Sequence, residues 1–134
     1  MTSFPLKIVT PDGLIFDGSA EQIIVRTTSG DVAILARHIN YVAPLGMGRA
    51  VIIAGGVRRT AACIGGMLSV VDGAVTLVPT TFEWSDKIDL ARANAAYEKA
   101  DNVLKNPSSS QNDLKLAEAK LRRALVRKSV ASIK

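Results

Sequence analysis

Cysteine and histidine are almost missing from this 134-residue chain: Cys63 and His38 stand alone. One cysteine excludes an internal disulfide, and one of each excludes a Cys/His metal cluster. In Ala61-Ala62-Cys63-Ile64 the thiol reads as a small buried side chain. No apolar run approaches the ~20 residues that cross a bilayer as a helix. The nucleophile-elbow pattern G-x-S-x-G and the phosphate loop G-x-x-x-x-G-K-[ST] are both missing, and no Ser–His–Asp set is suggested by spacing. Gly65-Gly66 has no helical pattern behind it, so a turn or bulge fits better than a phosphate cradle. A catalytic site therefore cannot be assembled. Glycine is also missing from the whole of the last fifty residues, which hold a single proline, Pro107.

What is present is an ordinary folded composition, 48% hydrophobic and 22% charged, enough for a real core. The length suits one domain, or a small domain with an appendage. Met1-Thr2-Ser3-Phe4-Pro5 runs almost directly into a strand-like segment, so neither a signal nor a transit peptide is expected, and the chain reads as cytosolic. The net charge of +5 is unevenly placed. Residues 1–84 hold six Lys/Arg against six Asp/Glu, whereas residues 85–134 hold eleven against six. In residues 115–134 the balance is seven to one. Such a segment suits nucleic acid, an anionic membrane or an acidic protein surface, or is simply a solvated helix face.

Residues 1–84 carry short strand signals at close spacing. Leu6–Val9 and Leu14–Phe16 flank the turn Pro11-Asp12-Gly13, and a second turn is expected at Asp17-Gly18. Gln22–Thr27 and Val32–Leu35 are separated by Ser29-Gly30-Asp31. Arg49–Ile53 with Val57–Ala61, and Met67–Val71 with Ala74–Val78, flank the hairpin dipeptides Gly55-Gly56 and Asp72-Gly73. Roughly nine or ten strands in this pattern predict a sandwich or barrel, not a βαβ sheet. After Trp84 the hydrophobic period lengthens to that of a helix. Leu90, Ala93, Tyr97, Ala100 and Leu104 form one stripe; Leu114, Ala117, Leu121, Ala124 and Leu125 form another. Pro107, in a serine-rich loop, separates them. Asp86 is expected to cap the first helix and Asn112 the second. The expected architecture is a mostly β plus α chain: an antiparallel β-sandwich of about ten strands over residues 1–84, then an antiparallel α-helical hairpin over 85–134. Its helices should span about residues 87–105 and 112–131. The stripes are narrow and rich in alanine, so the hairpin should bury little and open readily.

Several segments together resemble the epsilon subunit of bacterial rotary ATP synthases. Ile88-Asp89-x-x-Arg92-Ala93 looks like that family's Ile/Leu-Asp-x-x-Arg-Ala nucleotide-binding motif. Thr10-Pro11-Asp12-Gly13 with Phe16-Asp17-Gly18 resembles its opening hairpin. Gly30-Asp31-x-x-Ile34-Leu35-x-x-His38 is similar to its Gly-Glu/Asp-x-Gly-Ile-x-Pro-Gly-His loop, and Ile64–Val70 to its most recognisable strand pair. The order of sandwich, junction and basic hairpin extends the resemblance over essentially the full length. Ala33 stands where the family usually has Gly, and Ala36-Arg37 where it has Pro-Gly, which changes the turn chemistry of that loop.

The resemblance implies a non-catalytic central-stalk subunit, peripheral on the cytoplasmic face of the membrane and touching the membrane only through the complex. Its sandwich would dock on the gamma subunit and the c-ring, with Asp31 and His38 in the contact region, and couple ion-driven rotation to ATP synthesis. Its two helices, folded as a hairpin or extended among the alpha/beta catalytic hexamer, would restrain ATP hydrolysis. In some bacterial members ATP binds the folded form. The resemblance thus implies no required cofactor but ATP as a regulatory ligand, at Glu83, Ile88, Asp89, Arg92, Arg123 and Arg127. Guanidinium groups meet phosphates with fork geometry, and carboxylates accept from amino or hydroxyl groups, so the residue types suit the ligand. An exposed ion pair of Asp89 with Arg92, and a solvated basic face at Arg123 and Arg127, remain the plainer alternatives. Lys120, Arg122, Arg123, Arg127 and Lys128 form the candidate inhibitory surface. The rival function is a freestanding ATP-binding sensor with no rotary partner. Nucleic-acid binding is disfavoured, since the basic segment has no aromatic residue for stacking and the sandwich is charge-neutral.

Overall fold

The computed structural model describes residues 2–132, which divide into two compact units meeting between Trp84 and Ser85. Each is treated in turn.

The first unit is a sandwich of ten strands: β1 (Phe4–Thr10), β2 (Gly13–Ala20), β3 (Gln22–Thr27), β4 (Gly30–Leu35), β5 (Tyr41–Pro44), β6 (Met47–Ala54), β7 (Val57–Ile64), β8 (Met67–Val71), β9 (Ala74–Val78) and β10 (Thr81–Trp84). One five-stranded sheet runs β2-β1-β9-β8-β5 and the other β10-β7-β6-β3-β4. Every pairing is antiparallel except β1 with β9, which run parallel with Leu6 opposite Val75 and Ile8 opposite Leu77. Alternation along β1 sends Phe4, Leu6 and Ile8 inward, and β3 contributes Ile23 and Val25. Against these pack Ile34, Ile52, Leu68, Val70, Val75 and Leu77, with Cys63 among them. Period-two alternation is what lets each strand bury one face and wet the other.

Turn chemistry sets the registers. Gly55-Gly56 closes β6 on β7 with Ala54 opposite Val57, and Asp72-Gly73 closes β8 on β9 with Val71 opposite Ala74. Asp72 and Gly73 both have positive φ, 49° and 82°, as a primed two-residue turn requires. Gly66, between β7 and β8, has φ 93°, and a Cβ there would run into the Val78 carbonyl. This pair of glycines is a tight corner of the sandwich. The turn expected at Asp17-Gly18 does not form. Both residues continue β2, paired with Lys7 and Leu6, and the strand absorbs its irregularity as a bulge beside Ile8 and Val9 instead.

In the second unit a single 3-10 turn, Ser85–Lys87, precedes α1 (Leu90–Lys105) and α2 (Gln111–Ala131). The first helix starts three residues later than the hydrophobic pattern suggested, because Asp89 and not Asp86 is its cap: Asp89 Oδ1 accepts from the Arg92 backbone N–H at 3.0 Å. Asp86 lies in the 3-10 turn. The second helix is capped by Ser110 rather than Asn112, in a reciprocal box with Asp113 (3.1 and 3.2 Å). Asn106, held extended before Pro107, ends α1, and Ser109 Oγ donates to the Val103 carbonyl at 2.8 Å. The seam is narrower than the two stripes: Ala93, Ala100, Ala117 and Ala124 are buried, while Leu90 and Leu125 are exposed. No helix is long and apolar enough to cross a membrane among the described residues.

Candidate functional site

The candidate residues fall in three places. Asp31 is the second residue of β4, directly across from Arg26 on β3. Arg26 Nε donates to Asp31 Oδ1 at 2.6 Å and Nη2 to Oδ2 at 3.4 Å. The guanidinium hydrogen bond is the main cause of a lowered carboxyl pKa at Asp31; the fields of Arg26 and Arg49 add to it, and slight burial opposes it. The stem of Arg26 lies across β6, where a Cβ on Gly48 would come within 2.6 Å of the Arg26 Cβ. Arg26 escaped the sequence reading, although a two-residue turn at Thr28-Ser29 puts positions 26 and 31 opposite each other.

His38 lies beyond the other end of β4. Four strand residues, ~13 Å of extended chain, and then the turn at Ala36-Arg37 separate it from Asp31, so the two candidates lie toward opposite ends of the strand. His38 Nδ1 donates to the Ile39 carbonyl at 2.8 Å, and its ring meets Tyr41 edge-on at 5.8 Å. Arg37 beside it has φ 67°, a left-handed conformation uncommon outside glycine. A hollow of about 350 Å³ opens here between Arg37, His38, Phe4 and the Asp72-Gly73 turn. Glycine would adopt that conformation freely; here arginine does.

The nucleotide candidates lie partly on β10 and partly on the hairpin. Glu83 is on β10, opposite Ala62. Ile88 is half-buried just before α1, and Asp89 with Arg92 forms the helix cap. Arg92 and Arg123 are exposed and Arg127 is half-buried. Arg123 and Arg127 are one turn apart on α2, ~6 Å along its axis. The antiparallel arrangement brings the last turns of α2 back beside α1, as the Lys128 ammonium, 4.3 Å from the centre of the Tyr97 ring, demonstrates. Within the basic set, Arg122 is paired with Glu118 at 3.0 Å and Lys128 is stacked on Tyr97, while Lys120 stands exposed.

Among known proteins, residues 3–85 match the beta-sandwich domain of the ATP synthase delta/epsilon chain, and residues 86–132 match the long alpha-helix domain of the same chain. The chain is similar to the ATP synthase epsilon chain of Ruminococcus albus, 42% identical over 135 residues and the full length of both. It is also similar to that of Bacillus pumilus, 38% identical over 131 residues and 98% of each. A chain in the Euglena gracilis mitochondrial ATP synthase structure, containing OSCP, F1 and c-ring, shares the fold with a TM-score of 0.85 at 22% identity, over 96% of this chain and 81% of that one. With both units matched in order and end to end, this chain belongs to the ATP synthase delta/epsilon chain family.

Proposed function

We propose that this chain is the non-catalytic epsilon subunit in the central stalk of a rotary ATP synthase, coupling ion-driven rotation to ATP synthesis. The observation that carries this is the full-length agreement with epsilon chains, sandwich and helices together. The partners are then the gamma subunit, the c-ring and the alpha/beta hexamer, and the subunit sits peripherally on the cytoplasmic face of the membrane. Because Asp31 and His38 mark opposite ends of β4, they serve two separate patches of the sandwich surface.

The helical unit restrains hydrolysis by extending toward the catalytic subunits. ATP acts as a regulatory ligand of the folded hairpin through Glu83, Ile88, Asp89, Arg92, Arg123 and Arg127. Two features support the inhibitory role: the seven-to-one excess of cations in the last twenty residues, and the meagre burial of an alanine seam. Like charges four apart on a helix repel weakly, and the excess becomes favourable only opposite acidic groups.

Lys120 and Arg123 are the residues to test. They are exposed, and replacing them leaves the Arg122–Glu118 pair and the Lys128–Tyr97 contact untouched. In the assembled enzyme at low salt, Lys120→Ala with Arg123→Ala should raise ATP hydrolysis several-fold, and added salt should erase the difference. Alanine favours helix, so helix loss would not be the cause. Hydrolysis equal to wild type at low salt would remove the basic surface from the inhibitory account.

A further inference from the structure

The fully buried side chains of the hairpin are small, and half-buried Val103, Leu104, Leu114 and Leu121 flank them. The buried seam is four alanines, one methyl each, with Val130 near the end of α2, and Leu90, Leu116 and Leu125 point to solvent. Small residues let the helices approach closely but contribute little burial. Two ion pairs of the hairpin each lie within a single helix: Asp101 with Lys105 (2.8 Å) and Glu118 with Arg122 (3.0 Å) are four apart, so both survive if the helices separate. The contact between Lys128 and Tyr97 is different. Its members are far apart in sequence and on different helices, and the ammonium sits 4.3 Å above the ring centre. Both side chains are half-buried, so the cation meets the negative face of the ring with part of its hydration removed. This geometry exists only while α2 lies back along α1.

We propose that Lys128 and Tyr97 form the latch that sets how readily the hairpin opens, and that opening releases the Lys128 ammonium for an acidic surface. The second half of this rests on the reading that the helices extend toward the catalytic subunits; the first half does not. One cation thereby has two mutually exclusive uses. Folded, it is spent on Tyr97; extended, it joins Lys120 and Arg123 on the exposed basic face. A simple basic patch would gain from every cation equally, whereas here removing Lys128 and removing its ring partner have opposite consequences for the extended form.

The experiment is backbone hydrogen exchange across residues 90–131 in the full chain. Tyr97→Leu removes the ring but keeps an apolar helix former, Tyr97→Phe keeps the ring without its hydroxyl, and Lys128→Met keeps an apolar stem without the charge. Exchange in both helices should quicken about two- to fivefold for Tyr97→Leu and for Lys128→Met, with Tyr97→Phe matching wild type. The double variant Tyr97→Leu/Lys128→Met should be no faster than either alone. Exchange unchanged in Tyr97→Leu, or a double variant whose effects simply add, overturns the latch. A second measurement separates this from the wider reading. In the assembled enzyme Tyr97→Leu should deepen inhibition of hydrolysis. If exchange quickens while hydrolysis stays constant, the latch stands and helix extension as the inhibitory step falls.

Discussion

Arg26 and Asp31 show how much a single exposed pair can do when a fold fixes its geometry. They face each other across β3 and β4, with the Arg26 stem laid over Gly48, so neither side chain searches for the other. The carboxyl of Asp31 is held below the usual carboxylate range, first by the guanidinium hydrogen bond. A depressed folded-state pKa contributes stability above the unfolded value near ~3.9, and that contribution is lost as pH falls through the folded value. Both side chains are about half exposed, 50% and 56%, so solvent screens the pair and the effect is modest. Arg26→Met keeps a stem over Gly48 and removes only the charge. Its urea midpoint should fall slightly below that of wild type at neutral pH, and the gap should narrow in acid as the pH falls through the lowered folded-state pKa of Asp31. A gap that keeps its size in acid would mean that packing, not charge, is what Arg26 supplies. Beside this pair, Glu21 does comparable work elsewhere, its two carboxylate oxygens accepting from the Gly55 and Gly56 backbone N–H groups at 2.9 Å each.

At the scale of elements, the sequence was most legible where a turn admits few residue types. Gly55-Gly56 and Asp72-Gly73 need positive φ, and the strands on either side follow from them. The two strands not located in advance, β5 and β10, have four residues each and no hairpin dipeptide beside them. β5 also ends in Pro44, which a sheet tolerates because β5 is an edge strand. β10 is held by its long-range pairing with β7, from which the Arg59 guanidinium stacks on the Trp84 face at 3.6 Å. Helix caps were misplaced by two or three residues because several Asp, Ser and Asn neighbours compete for each start, and only the backbone decides between them. The candidate nucleotide residues were legible as a motif, but the motif concealed that Asp89 is already a cap. A carboxylate has four lone-pair sites, so the bond from the Arg92 N–H still leaves room for a ligand donor. Calorimetry of the full chain with ATP should therefore show binding that Arg92→Ala weakens by at least about tenfold, the worth of a charge-assisted phosphate contact. No heat from wild type, or equal binding by both, would confine Asp89 and Arg92 to a structural role.

The whole molecule joins two units of unequal character. The sandwich owns the large aliphatic core, whereas the fully buried hairpin residues among those described are four alanines and Val130, and the Lys128–Tyr97 contact spans its two helices. Such a division predicts that the units lose structure separately, and Cys63 offers a reporter inside one of them. Its thiol lies in the sandwich core, where burial pushes its pKa up to about 12. Only the thiolate reacts, and it is both scarce and enclosed at pH 8, so alkylation requires the sandwich to open. In rising urea the helical signal should fade first, with Cys63 still unreactive, and labelling should begin together with loss of the strand signal. A chain ending at Trp84 retains all ten strands and the Trp84 contacts with Phe82 and Arg59. It should keep a cooperative transition and a protected Cys63 in the absence of denaturant. Immediate alkylation of the shortened chain would show that the sandwich depends on residues 85–134 for its integrity. A hairpin that opens to restrain a motor could not then do so without weakening the unit that docks it, so protection of Cys63 in the shortened chain is what an opening hairpin requires of its anchor.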